Sequence, residues 1–218
     1  MPVPRFSLVR WSSDRLAPVY KRWGLRRVLK PGVRLWAGWT ALTWLAFLLS
    51  LLLVEVGERS SAFWADGLLG GGLVGLAQWR MLPAELRGGY RWVIASLLGW
   101  GVLALSPVGA VGWIAPDSPD PWLRGLLGIL YGAGAGLVLG GSQWAVLRRR
   151  VAQAWRWIPL SAGIWAVAIA LGWLVGGHLR ATSHLFVSEV IGLVVAWGIV
   201  AALTGLALVQ LLAESQQR

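Results

Sequence analysis

The sequence contains no cysteine, so disulfide bonds, thiolate catalysis and cysteine-ligated metal sites are excluded. Charged residues are also scarce, at 13% of the chain, whereas a soluble domain carries about a quarter. Hydrophobic residues make up 57% of the 218 residues, and the mean hydropathy is +0.64. The scarcity of charge and the excess of apolar residues together indicate an integral membrane protein.

Six apolar stretches are long enough to cross a bilayer as helices, which takes about 20 residues each. The first is longer than the core of a cleaved signal peptide, so we interpret it as a retained helix. The third contains Pro107, where we expect a kink rather than a break, because neighbouring helices can satisfy the freed carbonyl. The sequence therefore predicts an all-α polytopic membrane protein with transmembrane helices at about 33–54, 63–82, 90–114, 123–147, 155–176 and 186–212.

The twenty Lys and Arg residues are divided unequally between the two ends of these predicted helices. Seventeen fall on one side, and Arg59, Arg124 and Arg180 on the other side complete the twenty. Short loops rich in Lys and Arg stay in the cytoplasm. We therefore predict a bacterial cytoplasmic (inner) membrane location with both termini cytoplasmic.

The N-terminal segment, 1–32, alternates basic and aromatic side chains and accounts for much of the net charge of +11. Leu16, Val19, Tyr20 and Trp23 fall at helical spacing. Such a basic amphipathic helix is typical of a segment that lies on an anionic membrane surface. A docking arm for a partner is the alternative, and we do not expect nucleic acid to bind. Residues 213–218 are predicted to form a short cytoplasmic tail.

A glutamine stands near the predicted inner end of each even-numbered helix. These residues, Gln78, Gln143 and Gln210, recur at nearly equal intervals along the chain, and the first two are followed by Trp79 and Trp144. Either the glutamines hydrogen-bond to the adjacent helices, which is the interpretation we favour, or they converge on a cavity that holds a polar ligand. The regular spacing predicts three pseudo-repeated helical hairpins, with a degraded third copy.

The odd-numbered helices each begin with an Arg and two Trp residues eight positions apart, a spacing that places both on about one helix face. Tryptophans near the ends of spans are typical interface anchors. Deeper tryptophans can pack against a flat apolar ligand such as a carotenoid, a quinone or a tetrapyrrole, although we favour ordinary packing or lipid contact. The Trp pairs are Trp36 and Trp44, Trp92 and Trp100, and Trp157 and Trp165. The predicted interface anchors are Trp36, Trp79, Trp92, Trp144 and Trp157.

Glycines recur every four residues on two predicted helices. Such spacing leaves a groove in which the backbone of another helix can approach closely. We predict that the fourth helix packs at the centre of the bundle or against a partner. The predicted packing residues are Gly71 and Gly75 on the second helix, and Gly128, Gly132, Gly136 and Gly140 on the fourth.

Ionisable residues are confined to the ends of the predicted spans. Asp66, Arg124 and Glu189 open the three even-numbered helices at the outer face and are predicted to form a polar cluster. His178 and His184 could ligate a metal or a pigment, but two histidines without nearby carboxylates make a weak site, so we expect solvated loop histidines and no metal. Because acids and bases do not converge, we predict no catalytic residues and no enzymatic activity.

The pattern "QW..L", followed by arginines and a Trp-bearing helix in tandem copies, resembles a loose group of uncharacterised multi-pass bacterial membrane proteins. The resemblance covers roughly Gly67 to Trp173 and implies no particular activity. We expect a non-enzymatic membrane subunit or scaffold of a larger complex, of the energy-transducing or pigment-containing kind, with the bilayer and other membrane subunits as partners. The alternative is a small-solute transporter or its membrane-embedded substrate-binding subunit.

Overall fold

The computed structural model describes residues 31–54, 56, 63–87, 89–106 and 118–216. All regular structure within these ranges is helical, and they contain no strand. A four-residue helix and a 3-10 turn link longer helices near the arginine-rich segments. In chain order the elements are α1 (Pro31–Ser50), α2 (Phe63–Met81), α3 (Ala84–Arg87), α4 (Arg91–Ala104), α5 (Pro121–Leu147), the 3-10 turn (Ala154–Arg156), α6 (Trp157–Ser183) and α7 (Val187–Gln216).

Four of the described helices, α1, α5, α6 and α7, are long and apolar enough to cross a membrane, which points to a membrane location. The sequence predicts six spans, and the two others correspond to α2 and α4. Helix α4 is apolar but has 14 residues, or about 21 Å at 1.5 Å per residue. Helix α2 has 19 residues and carries Asp66 in its first turn and Arg80 in its last. Pro107, the end of the third predicted span and the N-terminal segment up to residue 30 lie outside the described residues.

The six longer helices form a closed ring. Each packs against two neighbours, in the order α1, α2, α4, α5, α6 and α7, and α7 packs against α1. The indole N–H of Trp36 on α1 donates to the Ala202 carbonyl of α7 at 2.9 Å across the closing contact. Because neighbours run antiparallel, the helix ends that bear Arg34, Arg80, Arg91 and Arg148 gather at one end of the ring, which we call the arginine-rich end.

Local signals in the sequence set the ends of α5 and α6. Asp120 precedes α5, and its Oδ1 accepts a hydrogen bond from the Trp122 amide at 2.9 Å, while Pro121 occupies the first turn, where no amide is needed. Helix α6 ends at Ser183, and the next residue, His184, adopts a left-handed conformation with φ 57°. Since α6 continues past the predicted end at Gly176, His178 lies on a helix rather than in a loop.

The contact between α5 and α6 is built on glycines. A Cβ atom at Gly128 would lie 2.6 Å from Ala170 Cα, and one at Gly136 would lie 2.5 Å from the Ser161 carbonyl oxygen. Gly132 and Gly140 face the same helix. Because the opposing atoms are mainly backbone, larger side chains would force the two helices apart.

Glycines also face side chains of neighbouring helices elsewhere in the ring. Gly75 on α2 lies against Ser96 of α4, where a Cβ atom would be 2.8 Å from Ser96 Cβ. Gly71, one turn earlier, lies under the Trp100 ring. Gly205 on α7 faces Trp39 of α1, with 2.9 Å from a Cβ to Trp39 Cδ1. Glycines thus let the inner side chains of α1 and α4 lie close to α7 and α2.

Candidate functional site

Three alternate helices of the ring, α1, α4 and α6, present one pattern to its interior. An aromatic residue is followed four residues later by a small hydroxyl residue and four residues after that by a second aromatic residue. Positions four apart lie on one helix face, and all nine side chains are buried. We call these the inner stripes: Trp39, Thr43 and Phe47 on α1; Trp92, Ser96 and Trp100 on α4; and Trp157, Ser161 and Trp165 on α6.

The first residues of the inner stripes form an aromatic layer near the arginine-rich end. The ring centroids of Trp39 and Trp92 are 5.8 Å apart at 75°, and those of Trp92 and Trp157 are 6.3 Å apart at 63°. Edge-to-face contacts of this kind contribute about 0.5–1.5 kcal/mol each beyond burial alone. The three tryptophans therefore connect α1, α4 and α6 across the interior of the ring.

The last residues of the inner stripes form a second aromatic layer around Trp197 of α7. The Trp197 ring stacks on Phe47 at 4.7 Å and on Trp100 at 5.7 Å, and meets Trp165 edge-on at 5.2 Å. Trp197 is 1% exposed. This ring thus fills the interior where side chains from α1, α4 and α6 meet.

Each tryptophan of the first layer donates its indole N–H to a side chain on a neighbouring helix. Trp92 donates to Gln78 Oε1 of α2 at 3.2 Å, and Trp157 donates to Gln143 Oε1 of α5 at 3.1 Å. Fourteen residues separate donor and acceptor in both pairs. Trp39 donates to Thr204 Oγ1 of α7 at 3.0 Å. The helix pairs α2–α4, α5–α6 and α7–α1 therefore share one kind of contact.

The two glutamines are also joined to each other. Gln143 Nε2 lies 3.4 Å from both Gln78 Oε1 and Ser96 Oγ. Both glutamines are buried, and buried amides are costly unless they are hydrogen-bonded. This polar layer contains amide and hydroxyl groups. It can hold α2, α4, α5 and α6 in register, but it offers no acid, base or nucleophile–base pair.

The structure places the third predicted glutamine elsewhere. Gln210 is exposed on α7, whereas Leu208 of that helix is fully buried. Thr204, about one turn before Leu208, supplies the acceptor for Trp39. Thr43 Oγ1, in the middle of the α1 stripe, is buried and has no hydrogen-bond partner among the described residues.

The predicted interface tryptophans occupy two kinds of environment. Trp92 and Trp157 are at most 1% exposed and belong to the core. Trp36 is 38% exposed. Trp79 donates to the Gly89 carbonyl at 2.9 Å, and the Arg148 guanidinium lies 4.9 Å from the centroid of the Trp144 ring. Trp36, Trp79 and Trp144 are therefore more exposed than the two core tryptophans.

At the opposite end of the ring, a buried ion pair joins α5 to α7. Arg124 Nη2 lies 2.5 Å from Glu189 Oε2, and both side chains are 6% exposed. The same guanidinium donates to the carbonyls of Trp173 at 3.1 Å and Ser118 at 3.2 Å. Arg180 Nη1 is 3.7 Å from the other carboxylate oxygen of Glu189. These contacts neutralise a carboxylate that is largely shielded from water.

The remaining predicted site residues lie on two other helices, at the same end of the ring as this ion pair. Asp66 lies in the first turn of α2, a helix that packs chiefly against α1 and α4. His178 and His184 lie at the end of α6. Among the described residues, no group of three or more His, Cys, Asp or Glu side chains could hold a metal ion.

Sequence reasoning missed Trp39, Thr43, Phe47 and Thr204. The signal for the first three is their eight-residue aromatic spacing with a hydroxyl residue midway, which matches the stripes of α4 and α6.

Comparisons of the chain with protein-family models, with curated proteins and with solved structures found no match.

Proposed function

We propose that this protein is a non-catalytic, membrane-embedded subunit or scaffold of a larger membrane complex. The observation that carries the proposal is the filled interior of the helix ring, in which two aromatic layers enclose a polar layer. A ring closed around such a core is suited to presenting a fixed outer surface to lipid and to partner subunits, rather than to passing a solute along its axis.

The hydrogen bonding of the polar layer supports a structural role for the glutamines. Gln78 Oε1 accepts from Trp92 and Gln143, and Gln143 Oε1 accepts from Trp157. A solute that used these groups would have to replace bonds already made inside the protein. The layer also lacks the proton-transfer groups that an enzyme needs. Both facts favour the scaffold over the alternative of a small-solute transporter or substrate-binding subunit.

The proposal includes six spans built from three equivalent helix pairs. Helices α2 and α4 lie side by side in the ring between α1 and α5, which are both long enough to cross a bilayer. As members of a closed ring, α2 and α4 would lie in the bilayer alongside the other four helices. In this arrangement the arginine-rich end faces the cytoplasm, because Lys and Arg are retained there, and both termini are cytoplasmic.

The outer surface of the ring is rich in apolar side chains, as contact with lipid or another subunit requires. Leu98 and Val102 on α4 are 65% and 56% exposed, and Leu126 and Leu130 on α5 are 55% and 59% exposed. Soluble monomers rarely expose contiguous apolar patches of large area. These residues support placing α4, like α5, in the bilayer.

Purification in a mild detergent tests the proposal. The tagged full-length protein is extracted from native membranes, and its mass is measured by size-exclusion chromatography with light scattering. Co-eluting proteins are quantified by mass spectrometry, and the absorption spectrum is recorded for a carotenoid, quinone or tetrapyrrole. An unrelated tagged membrane protein at the same expression level is the control. We expect a defined complex with a stoichiometric partner that is absent from the control.

A single chain that elutes without any stoichiometric partner would contradict the scaffold proposal. The transporter alternative is tested separately with the double variant Gln78→Leu and Gln143→Leu in proteoliposomes loaded with candidate solutes. The matched control is Gln210→Leu, which removes an exposed glutamine on α7. Saturable uptake by the control protein that disappears in the double variant, with folding retained, would favour the transporter instead.

A further inference from the structure

Three consecutive arginines, Arg148, Arg149 and Arg150, follow α5 at the arginine-rich end of the ring, and all three are exposed. The backbone beneath them is fixed. The Arg148 amide donates to the Trp144 carbonyl at 2.8 Å, and the Arg150 amide donates to the Leu147 carbonyl at 3.0 Å. Leu147 itself is fully buried. This segment, which we call the arginine turn, therefore holds three guanidinium groups at the surface.

The charge of the arginine turn is not cancelled by the carboxylates around it. Within the part of the chain that the structure describes, none of its three arginines forms an ion pair. Glu214, the acidic residue of α7 at this end, is already paired with Arg156, at 2.6 Å from Nη1 to Oε2. The Arg148 guanidinium lies 4.9 Å from the centroid of the Trp144 ring. That contact positions the cation and leaves its charge unbalanced.

The segments outside the described residues cannot supply the missing negative charge either. The chain has nine Asp and Glu residues in total. Those at or near helix ends on the opposite side of the ring are Glu55, Glu58, Asp66, Asp117, Asp120 and Glu189. The others are Asp14, Glu85 and Glu214. Residues 1–30, which precede α1 at the arginine-rich end, contain eight Lys and Arg residues against Asp14 alone, so their sequence adds positive charge to this end.

The surroundings of the arginine turn are those of a membrane boundary. The turn joins α5 to α6, and both helices are long and apolar enough to cross a membrane. Trp155, in the 3-10 turn that follows, is 61% exposed, and Leu160 on α6 is 37% exposed. Exposed tryptophans at the ends of spans typically lie at the level of the lipid headgroups. The three arginines therefore stand where the headgroups of a bilayer would surround them.

We infer that the arginine turn binds the headgroup of an anionic membrane lipid. Basic clusters next to the end of a membrane helix attract anionic lipids, and guanidinium groups donate charge-assisted hydrogen bonds to phosphate oxygens. A zwitterionic headgroup also carries a cation, which three neighbouring arginines would repel, so the turn should select a lipid with net negative charge. This binding does not depend on the scaffold role proposed above.

The inference is tested with the full-length protein in a non-ionic detergent. Phosphatidylglycerol and phosphatidylcholine are added in equal amounts, bound lipids are counted by native mass spectrometry, and inorganic phosphate is added as a competitor. The test variant combines Arg148→Gln, Arg149→Gln and Arg150→Gln. The matched control changes the same three residues to lysine, which keeps the charge. Thermal unfolding is recorded to verify that both variants are folded.

We expect the unmodified protein to bind phosphatidylglycerol in preference to phosphatidylcholine. The dissociation constant of the first bound phosphatidylglycerol should rise about tenfold or more in the glutamine variant, because three cations beside the headgroup are lost. In the lysine variant it should stay within about threefold of the unmodified value.

Four results would overturn the inference. The first is equal binding of the two lipids, and the second is an unchanged affinity for phosphatidylglycerol in the folded glutamine variant. The third is displacement of phosphatidylglycerol by an equal concentration of inorganic phosphate, which would identify a site for a soluble anion. The fourth is loss of a co-purifying acidic protein from the glutamine variant while its lipid binding is unchanged, which would identify a protein as the occupant.

Discussion

The indole N–H of Trp39 donates to Thr204 Oγ1 at 3.0 Å, although 165 residues separate the two in the chain. This bond joins the first and last described helices and closes the ring. It has the same form as the bonds from Trp92 to Gln78 and from Trp157 to Gln143, in which a tryptophan of one helix uses an acceptor on its neighbour. The Thr204 hydroxyl itself donates to the Val200 carbonyl at 2.7 Å.

Substitution Thr204→Val is expected to destabilise the protein by about 1–3 kcal/mol, because the Trp39 indole stays buried without an acceptor. Valine has nearly the shape of threonine, so the change removes the hydroxyl and little else. Unfolding in mixed detergent micelles, followed by tryptophan fluorescence, measures the effect. Thr204→Ser keeps the hydroxyl and should retain most of the stability. A smaller loss in Thr204→Val than in Thr204→Ser would show that the methyl group, and not the bond, matters.

Substitution Gln143→Leu should cost about 1–3 kcal/mol, because it leaves the buried Trp157 indole without its acceptor. It also removes the amide that bridges Gln78 and Ser96. Gln210→Leu changes the same residue type at an exposed position of α7 and should stay within about 0.5 kcal/mol of the unmodified protein. Comparable unfolding midpoints for the two leucine variants would contradict the structural role assigned to the polar layer.

The sequence predicts the polar layer better on α2 and α5 than on α7. The interval from Gln78 to Gln143 equals the interval between their tryptophan partners, Trp92 and Trp157. On α7 the acceptor changes to a shorter side chain, Thr204, which precedes Gln210 by more than one helical turn. Gln210 resembles the other glutamines in residue type, but the helix turns it outward.

The register of α1 also could not be read from residue types. Trp36 and Trp44 have the eight-residue spacing seen in α4 and α6, and so do Trp39 and Phe47. In the structure the second pair faces inward, and Trp36 and Trp44 are each 38% exposed. Both pairs are apolar, so hydrophobicity does not separate them. The pairs differ in their partners: Trp39 and Phe47 contact the buried rings of Trp92 and Trp197. Trp36 and Trp44 instead donate to backbone carbonyls of α7.

The charged cluster shows a similar division. The pairing of Arg124 with Glu189 follows from their opposite signs at matching helix starts, and the structure brings these two together. Arg124 also donates to the Trp173 carbonyl of α6 and to the Ser118 carbonyl before α5, and no spacing in the sequence encodes these two bonds.

Substitution Gly136→Ala is expected to destabilise the protein by about 1–3 kcal/mol through overpacking. The new Cβ would lie 2.5 Å from the Ser161 carbonyl oxygen and 2.6 Å from Ala162 Cα, and backbone atoms cannot rotate away. Gly141→Ala is the matched control, because nothing lies within 4 Å of a Cβ at Gly141. Alanine there should be neutral or stabilising by up to about 1 kcal/mol, since it favours a helix. A similar loss in both variants would contradict the close contact of α5 and α6.

Removing one partner of the buried ion pair is expected to cost more stability than removing both partners. Arg124→Leu leaves the Glu189 carboxylate buried beside only the more distant Arg180, and should cost about 3–5 kcal/mol. The double variant Arg124→Leu and Glu189→Leu removes both charges. It should therefore be more stable than the single variant, and the double-mutant cycle should give a coupling of more than about 1 kcal/mol.

The exposed pair of Arg156 and Glu214 serves as the comparison, because at 42% and 49% exposure it should contribute less than about 1 kcal/mol. Unfolding free energies of the four variants of each pair, measured in the same micelles, decide the matter. If the losses of unfolding free energy at Arg124 and Glu189 were additive, the two side chains would not interact energetically. The ion pair would then not hold α5 to α7.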